Sequence, residues 1–508
     1  MSERSGRVVS RASKALPALA LVAFWLPMLG PLVQRGMMTC SHDGMLHFLR
    51  AFQLDTLVRQ GVLWPRWLPG MAFGYGYPLF NFYPALSLYP ILILHRLGLS
   101  LLQGWNATLA MSILASGLTM YLWARQVMGQ RGGFVAAVAF MLAPYQLYDV
   151  YWRGSLAESL ALPLMPVVLW AALSCATAQE HRWRYTVIGA LAYAAILLTH
   201  VATSLMFTLV LPVYLLALIW SARNRRATAL QLAGILALGW GLAAFFWAPA
   251  FLEKNQVQLW RAIASSSADY HYHFLTLTEL VKPAQASDPL LVNPSPPRSL
   301  GWVTSLLAAI GVLATAWNRD RIGKAQQVHV VWASLSAIAV IALMLPISEP
   351  FWSRTPLLPF IQFPWRFLGV SGLLISLLAG AAVAALDGDG RLSSGGSRYQ
   401  NVGHVALPGF CAVVLAIGAW PWAYPRLCPA SDNPTQTSYV AYEESTGLVG
   451  MTASGEYLPT TAQEVPTTSP LVESIRAGQP VNRWDAPGAR ILQSRDDGLS
   501  AEIVLESD

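Results

Sequence analysis

Charged side chains are scarce in this sequence. Asp, Glu, Lys and Arg make up 12% of the 508 residues, whereas 55% are hydrophobic, and the mean hydropathy is +0.45. A soluble domain carries about 25% charged residues, so the composition excludes a soluble protein of this length. Apolar runs of about 18 or more residues recur along the chain and predict an all-α, multi-pass membrane protein.

Several catalytic signatures are also missing. The sequence contains no P-loop, no GxGxxG after a strand, no HExxH and no GxSxG, so nucleotide hydrolysis and serine catalysis are unsupported. The net charge of +7 comes from arginines and lysines in short loops between apolar runs. This distribution is the positive-inside pattern and gives no indication of nucleic-acid binding.

Cysteine is rare and unevenly placed. Cys175 and Cys411 lie inside apolar runs, whereas Cys40 and Cys428 each lie just beyond a predicted span, on the predicted outer face. Only the second pair could be oxidised there. We therefore expect a possible disulfide between Cys40 and Cys428, with two unpaired outer cysteines as the alternative.

The basic loops set the predicted topology. If all of them are cytoplasmic, the chain has about eleven spans, an inner N-terminus and an outer C-terminus. The apolar piece 83–97 is short and contains two prolines, so we predict a re-entrant or interfacial helix, although a crossing would invert every later loop. The predicted domains are a transmembrane domain, 1–424, with a catalytic first outer loop, 35–103, and a small outer β-rich region, 425–508, ending in a hairpin.

The first outer loop carries most of the candidate chemistry. His42, Asp43 and His47 begin a run with apolar residues at three- and four-residue spacing, which predicts a helix. Asp43 and His47 then lie one turn apart, able to bind a divalent ion or to act as a base with its orienting partner. Alternatively, Ser41 or Asp43 simply caps the helix.

An aromatic stretch follows this helix. Trp67, Tyr75, Tyr77 and Tyr83 offer flat faces on which a sugar can stack. Tryptophan and tyrosine are equally common as anchors at the membrane interface, so both interpretations stand.

Further ionisable residues lie at predicted outer span ends. Asp149, Arg153 and Glu158 form one group, in which Arg153 could clamp a phosphate through two parallel hydrogen bonds or form an internal ion pair. Three more candidate substrate contacts are His200, Glu253 and Arg366. His271 and His273 are a weak metal signal.

Several of these segments together resemble a known family. The runs HDGMLHFLRAFQLDTLVRQGVLWPRWLPGMAFGYGYPLFNFYP, APYQLYDVYWRGSLAESLALPLMPVVLW, FPWRF and GEYLP resemble bacterial multi-pass proteins labelled "6-pyruvoyl-tetrahydropterin synthase-related". Those proteins are similar to membrane glycosyltransferases of the C-type (GT-C) superfamily. The pterin label itself finds no support, since the chain lacks the histidine set of that small soluble zinc enzyme.

The resemblance implies an activity and a location. Enzymes of the GT-C superfamily use sugars on polyprenyl phosphate and place an essential acid in the first outer loop, a role that falls on Asp43. The implied reaction is an inverting transfer to a glycan, lipid or protein acceptor outside the bacterial inner membrane, with Arg153 or Arg366 neutralising the leaving phosphate. A histidine precedes Asp43 where relatives have a second acid, which leaves the need for a metal open.

Two other functions remain compatible with the sequence. A transporter or flippase of lipid-linked sugars would carry ionisable residues near the bilayer midplane, often in matched halves. A non-catalytic assembly protein would tolerate loss of Asp43 and Arg153. In this sequence the ionisable residues cluster at the ends of predicted spans, and this placement favours the transferase.

Overall fold

The computed structural model describes residues 16–264, 268–283, 297–386, 398–479, 481, 490–496 and 500–506, and most of them are helical. The first helix is α1 (Leu16–Leu32). It is followed by α2 (Gly44–Arg59), α3 (Leu79–Phe82), α4 (Tyr89–Arg96), α5 (Leu101–Met141), α6 (Pro144–Tyr148), α7 (Leu156–Ala161), α8 (Leu164–Thr177), α9 (Arg182–Thr199), α10 (Val201–Ser221), α11 (Arg225–Leu242) and α12 (Ala244–Glu253).

The second half of the chain continues the helical pattern. Its helices are α13 (Arg261–Ala264), α14 (Leu277–Val281), α15 (Trp302–Trp317), α16 (Lys324–Leu343), α17 (Glu349–Arg354), α18 (Leu368–Leu386), α19 (Arg398–Ala419), α20 (Gln436–Thr446) and α21 (Leu471–Arg476). The strands are β1 (Met37–Thr39), β2 (Leu427–Pro429), β3 (Arg490–Asp496) and β4 (Ala501–Glu506).

Within the described ranges, six helical runs are long and apolar enough to cross a membrane, and the bent pair α11 and α12 makes up to seven. The predicted number of about eleven spans is therefore not confirmed. α4, inside the apolar piece 83–97, has 8 residues and extends only about 12 Å at 1.5 Å per residue. It is too short to cross alone.

α5 is a helical hairpin rather than one straight rod. Gly129 interrupts it with a non-helical φ of 71°. A Cβ on Gly133 would lie 2.7 Å from the backbone of Arg125, and one on Gly117 would lie 2.8 Å from Sδ of Met141. These contacts show that the chain turns back at Gly129 and that its two halves pack antiparallel.

α18 lies at the centre of the bundle. Most of its residues are buried, as expected of a helix that is apolar on all sides, and it packs against α5, α15 and α16. A Cβ on Gly311 of α15 would lie 2.0 Å from the carbonyl oxygen of Leu378, so the absence of a side chain allows this close approach. The segment just before α18, which contains Trp365 and Arg366, is therefore attached to a firmly packed helix.

The start of the first loop is tied to the segment after α19. β1 pairs antiparallel with β2, with Met38 opposite Cys428. The cysteines Cys40 and Cys428 form a disulfide with a Cα–Cα distance of 5.1 Å. This link anchors the chain just before α2.

The β-rich character expected of the C-terminal region is not confirmed, although the expected terminal hairpin is present. The described part of this region contains α20 and α21, and its only strands are the short β2 and the hairpin of β3 and β4. Glu443 joins α20 to the aromatic stretch, because its carboxylate accepts hydrogen bonds from the backbone N–H groups of Ala72, Phe73 and Gly450. A helix, not a sheet, therefore holds the aromatic stretch.

Candidate functional site

Asp43 stands where the first loop meets the end of a span. It occupies the N-cap position of α2, yet its side chain accepts no capping hydrogen bond. Its backbone N–H donates to the carbonyl oxygen of Arg153 at 2.7 Å, and that of His42 donates to Trp152 at 3.0 Å. The carboxylate is 43% exposed, so it remains accessible to a substrate.

The backbone opposite Asp43 has an uncommon conformation. Asp149–Arg153 forms a single π-helical turn that ends at Gly154, which has a left-handed φ of 64°. A Cβ on Gly154 would lie 2.7 Å from the backbone of Gly44, so only glycine allows α2 to start here. π-Helical turns are frequent at functional sites.

Arg153 is held by buried acids. Its Nη1 lies 2.6 Å from Oδ1 of Asp149 and 2.6 Å from Oε2 of Glu158, while its Nη2 lies 3.9 Å from Oδ2 of Asp43. Tyr145 donates to the other oxygen of Glu158 at 2.7 Å. The structure thus shows the internal ion pair that was the alternative to a phosphate clamp at Arg153.

Two further arginines surround the same point. The guanidinium of Arg298 lies 4.6 Å from the ring centre of Trp365, and that of Arg153 lies 4.9 Å from it. Arg366 follows Trp365 in the chain and has its Nε 3.9 Å from Oε2 of Glu158. This Nε is buried and has no hydrogen-bond acceptor among the described residues. Three guanidinium groups therefore gather beside Asp43.

The sequence did not indicate Arg298. It follows a proline-rich stretch that resembles many other loops, and nothing local distinguishes it. Its position between two predicted spans on the outer side was the only available signal.

His47 does not pair with Asp43 as its spacing suggested. It is buried, and its Nδ1 lies 3.3 Å from Nη1 of Arg50. Burial, followed by the positive charge of Arg50, lowers the pKa of His47 well below its usual value. A neutral imidazole therefore accepts from Arg50, whose guanidinium lies 4.3 Å from the ring centre of Tyr83 and donates to the carbonyl oxygen of Met451.

The aromatic stretch divides into exposed and buried rings. Trp67 and Tyr75 are exposed and remain able to contact a substrate. Tyr77 is fully buried, where it bonds to Thr452 and accepts from the backbone N–H of Tyr457. Tyr77 therefore has a packing role, and the expectation that it offers a free face for a sugar does not fit its position.

The remaining candidates each have contacts other than Asp43. His200 caps α10, with its Nδ1 accepting from the backbone N–H of Thr203, and it interacts electrostatically with Glu158. Glu253 instead accepts a hydrogen bond from Asn81 at 2.8 Å. His271 pairs with Asp269 in an exposed turn.

A divalent ion is not supported by the donor set. Among the described residues, no group of three or more His, Cys, Asp or Glu side chains lies close enough to hold a metal ion. Asp43 contacts a guanidinium instead. We therefore derive no step through a metal.

The fold and the site define a mostly helical membrane protein with a cluster of ionisable residues around Arg153. A family profile described as "6-pyruvoyl-tetrahydropterin synthase related domain; membrane protein" matches residues 80–387. The chain belongs to this family. No curated protein matches the sequence.

Solved structures with a similar fold are membrane glycosyltransferases. The arabinofuranosyltransferase AftD from Mycobacteria aligns with a TM-score of 0.50 at 16% identity over 85% of this chain. The chain spans 30% of AftD's length. An oligosaccharyltransferase from Archaeoglobus fulgidus aligns over 90% of this chain and 61% of its own length, with 13% identity and a TM-score of 0.49.

A third similar structure is ArnT from Cupriavidus metallidurans. It aligns over 82% of this chain and 75% of its own length, with 16% identity and a TM-score of 0.46. At these identities the likeness concerns the fold alone. The fold similarity therefore rests on AftD, whose TM-score is 0.50.

Proposed function

We propose that this chain is a membrane glycosyltransferase that moves a sugar from a polyprenyl-phosphate-linked donor to an acceptor hydroxyl on a glycan, lipid or protein. One observation carries the proposal. An accessible carboxylate, Asp43, stands beside three guanidinium groups at one end of a helical bundle with a glycosyltransferase-like fold. A base for the acceptor and cations for the leaving phosphate are the two requirements of this reaction.

Asp43 acts as the general base. Its carboxylate accepts the proton of the acceptor hydroxyl as that oxygen forms a bond to the anomeric carbon. The bond between the anomeric carbon and the phosphate oxygen breaks, and the electron pair leaves with the polyprenyl phosphate, which inverts the configuration. Positioned proton transfer of this kind contributes about 10²–10⁴-fold to a rate.

Arg298 and Arg366 stabilise the departing phosphate. The buried Nε of Arg366 lacks an acceptor among the described residues, and a phosphate oxygen would supply one. Arg298 is only partly buried, so its guanidinium remains accessible to a ligand. Fixed cations in a site poor in water stabilise developing charge far better than they would in bulk water.

Arg153 is a positioning residue in this proposal. Its Nη1 is occupied by Asp149 and Glu158, so this nitrogen does not contact the phosphate in the proposal. It instead holds a fixed positive charge 3.9 Å from Asp43.

The proposed location is the bacterial inner membrane, with the N-terminus in the cytoplasm and the site on the outer side. The segments that form the site, which contain Asp43, Arg153, His200, Arg298 and Arg366, were all predicted to be outer from the basic loops. Polyprenyl chains in the membrane would then reach the site laterally.

Donor turnover by the purified protein tests this function. The wild-type chain, reconstituted in lipid and given a polyprenyl-phosphate-linked sugar with an envelope extract as acceptor, should release polyprenyl phosphate in proportion to the sugar transferred. Binding of the donor without any release, together with its movement across vesicle membranes, would indicate a flippase and contradict the proposal.

A further inference from the structure

A cavity lies away from the Asp43 site, between α1 and the first half of α5. Its volume is about 350 Å³, which is within the range of small-molecule sites, about 300–1,000 Å³. The walls are apolar and are formed by Trp25, Leu29, Leu32, Ala107, Ala110 and Met111. Trp25 fixes the two helices together, because its Nε1 donates to the carbonyl oxygen of Ala110 at 2.8 Å.

The cavity is polar at one end. Arg35 and Asp432 both line it there, beyond the end of α1. Asp432 accepts a hydrogen bond from Oγ of Ser100 at 3.0 Å, and in the described part of the chain Arg35 has no ion-pair partner. The rim therefore offers one cation and one carboxylate that do not neutralise each other.

A buried acceptor lies just inside this rim. Asn106 lines the cavity and uses its Nδ2 to donate to the carbonyl oxygen of Met37 at 3.1 Å. Its Oδ1 is buried and receives no hydrogen bond from any described residue. Because an unsatisfied buried acceptor is costly, a donor from a bound molecule would stabilise this arrangement.

We propose that this cavity binds a zwitterionic phospholipid with a primary ammonium group, of the phosphatidylethanolamine type. The phosphate contacts Arg35, and the ammonium donates to Asp432 and to Oδ1 of Asn106. An acyl chain lies against the apolar wall. From Gln103 at the rim to Met111 the wall extends about 12 Å at 1.5 Å per residue, which is close to the depth of one leaflet, about half of 30 Å.

The bound lipid would support the loop that carries Asp43. Met37, which accepts from Asn106, belongs to β1 and pairs with Pro429 of β2, and the disulfide follows directly in the chain. A head group held at the rim therefore packs beside the anchor of the first loop. This site does not depend on the proposed transferase reaction.

Native mass spectrometry of the full chain tests the proposal. The protein is exchanged into detergent containing equal amounts of phosphatidylethanolamine and phosphatidylglycerol, and the lipid retained is identified by mass. We expect retention of phosphatidylethanolamine by the wild type. Arg35→Gln and Asp432→Asn should each weaken retention about tenfold, which corresponds to about 1.4 kcal/mol.

The variants are chosen to separate binding from folding. Asp432→Asn keeps an oxygen that can accept from Ser100, and Arg354→Gln is a matched control because Arg354 is exposed and remote, with one bond to Pro350. The control should retain lipid as the wild type does, and the melting temperature of Asp432→Asn should match that of the control. Preferential retention of phosphatidylglycerol, or unchanged retention in both rim variants, would overturn the proposal.

Discussion

The carboxylate of Asp43 faces the guanidinium of Arg153 across 3.9 Å, from Oδ2 to Nη2. Arg153 cannot turn away, because its Nη1 is held at 2.6 Å by both Asp149 and Glu158. The two residues therefore have different roles in the proposed site. Arg153 holds a positive charge in a fixed position beside Asp43, and the carboxylate of Asp43 remains accessible to a substrate.

Arg153→Ala should destabilise the protein rather than weaken donor binding selectively. The substitution removes the guanidinium from buried Asp149 and leaves Glu158 with only Arg366, at 3.9 Å, and breaking a buried ion pair costs about 3–5 kcal/mol. We expect a lower unfolding temperature in detergent, with Arg354→Ala as the exposed control. A melting temperature equal to that of the control would show that the buried acids do not depend on Arg153.

Arg298→Gln should weaken donor binding without loss of stability. Arg298 is partly buried and has no buried acid to neutralise among its described contacts. Loss of a hydrogen bond to a charged group, worth about 1.5–3 kcal/mol, predicts at least tenfold weaker binding of a polyprenyl-phosphate-linked sugar. Arg298→Lys should retain part of the affinity. Wild-type affinity in Arg298→Gln would exclude this arginine from the phosphate site.

His47 should make the stability of the first loop depend on pH. Its pKa in the folded protein is lowered by burial, then by Arg50, relative to about 6.5 in an unfolded chain. Between these two values the unfolded chain binds more protons, so the free energy of unfolding falls as pH decreases below about 6.5.

His47→Asn keeps an acceptor for Arg50 but cannot titrate. The free energy of unfolding, measured between pH 7.5 and 5.5, should therefore fall less in this variant, with a difference of up to about 1.4 kcal/mol per pH unit. The same pH dependence in both proteins would mean that folding does not lower the pKa of His47.

The oxidation state of Cys40 and Cys428 tests the proposed orientation of the chain in the membrane. Such bonds persist outside the cytoplasm and are rare inside it, so protein purified from bacterial membranes without reductant should contain it. Mass spectrometry after thiol alkylation should find Cys40 and Cys428 unmodified until reductant is added. Alkylation of both without reductant would place this end of the bundle in the cytoplasm. A Cys40→Ser, Cys428→Ser double variant should lose about 2–4 kcal/mol of stability.

The sequence predicted well what depends on local pattern. Apolar runs indicated a helical membrane protein, the spacing after Asp43 indicated α2, and the placement of two cysteines indicated their possible pairing. Hydropathy could not separate short, broken and re-entrant helices from full spans, and the number of spans was therefore not confirmed. The turn at Gly129 falls between Arg125 and Arg131, two of the basic residues that set the predicted topology.

The site was harder to predict because its contacts join distant parts of the chain. Arg298 meets Trp365, and nothing in the sequence near either residue indicates the contact. The stretch around Tyr77 has the composition of an exposed aromatic loop. In the structure Tyr77 is buried, and its hydroxyl is hydrogen-bonded to Thr452 and to the backbone N–H of Tyr457. The helix α20 lies in the region expected to be β-rich, and its Glu443 accepts hydrogen bonds from three backbone N–H groups of other segments, a role that residue type alone does not reveal.

Sugar transfer by Asp43→Asn is the most direct test of the central claim. Asparagine keeps the shape of the side chain and its place at the start of α2 but cannot accept a proton. The purified variant should melt as the wild type does, bind the polyprenyl-phosphate-linked sugar, and transfer it about 10²–10⁴-fold more slowly. Glu349→Gln, which removes an exposed acid away from the site, should transfer at the wild-type rate. Transfer by Asp43→Asn at the wild-type rate would show that Asp43 is not the general base.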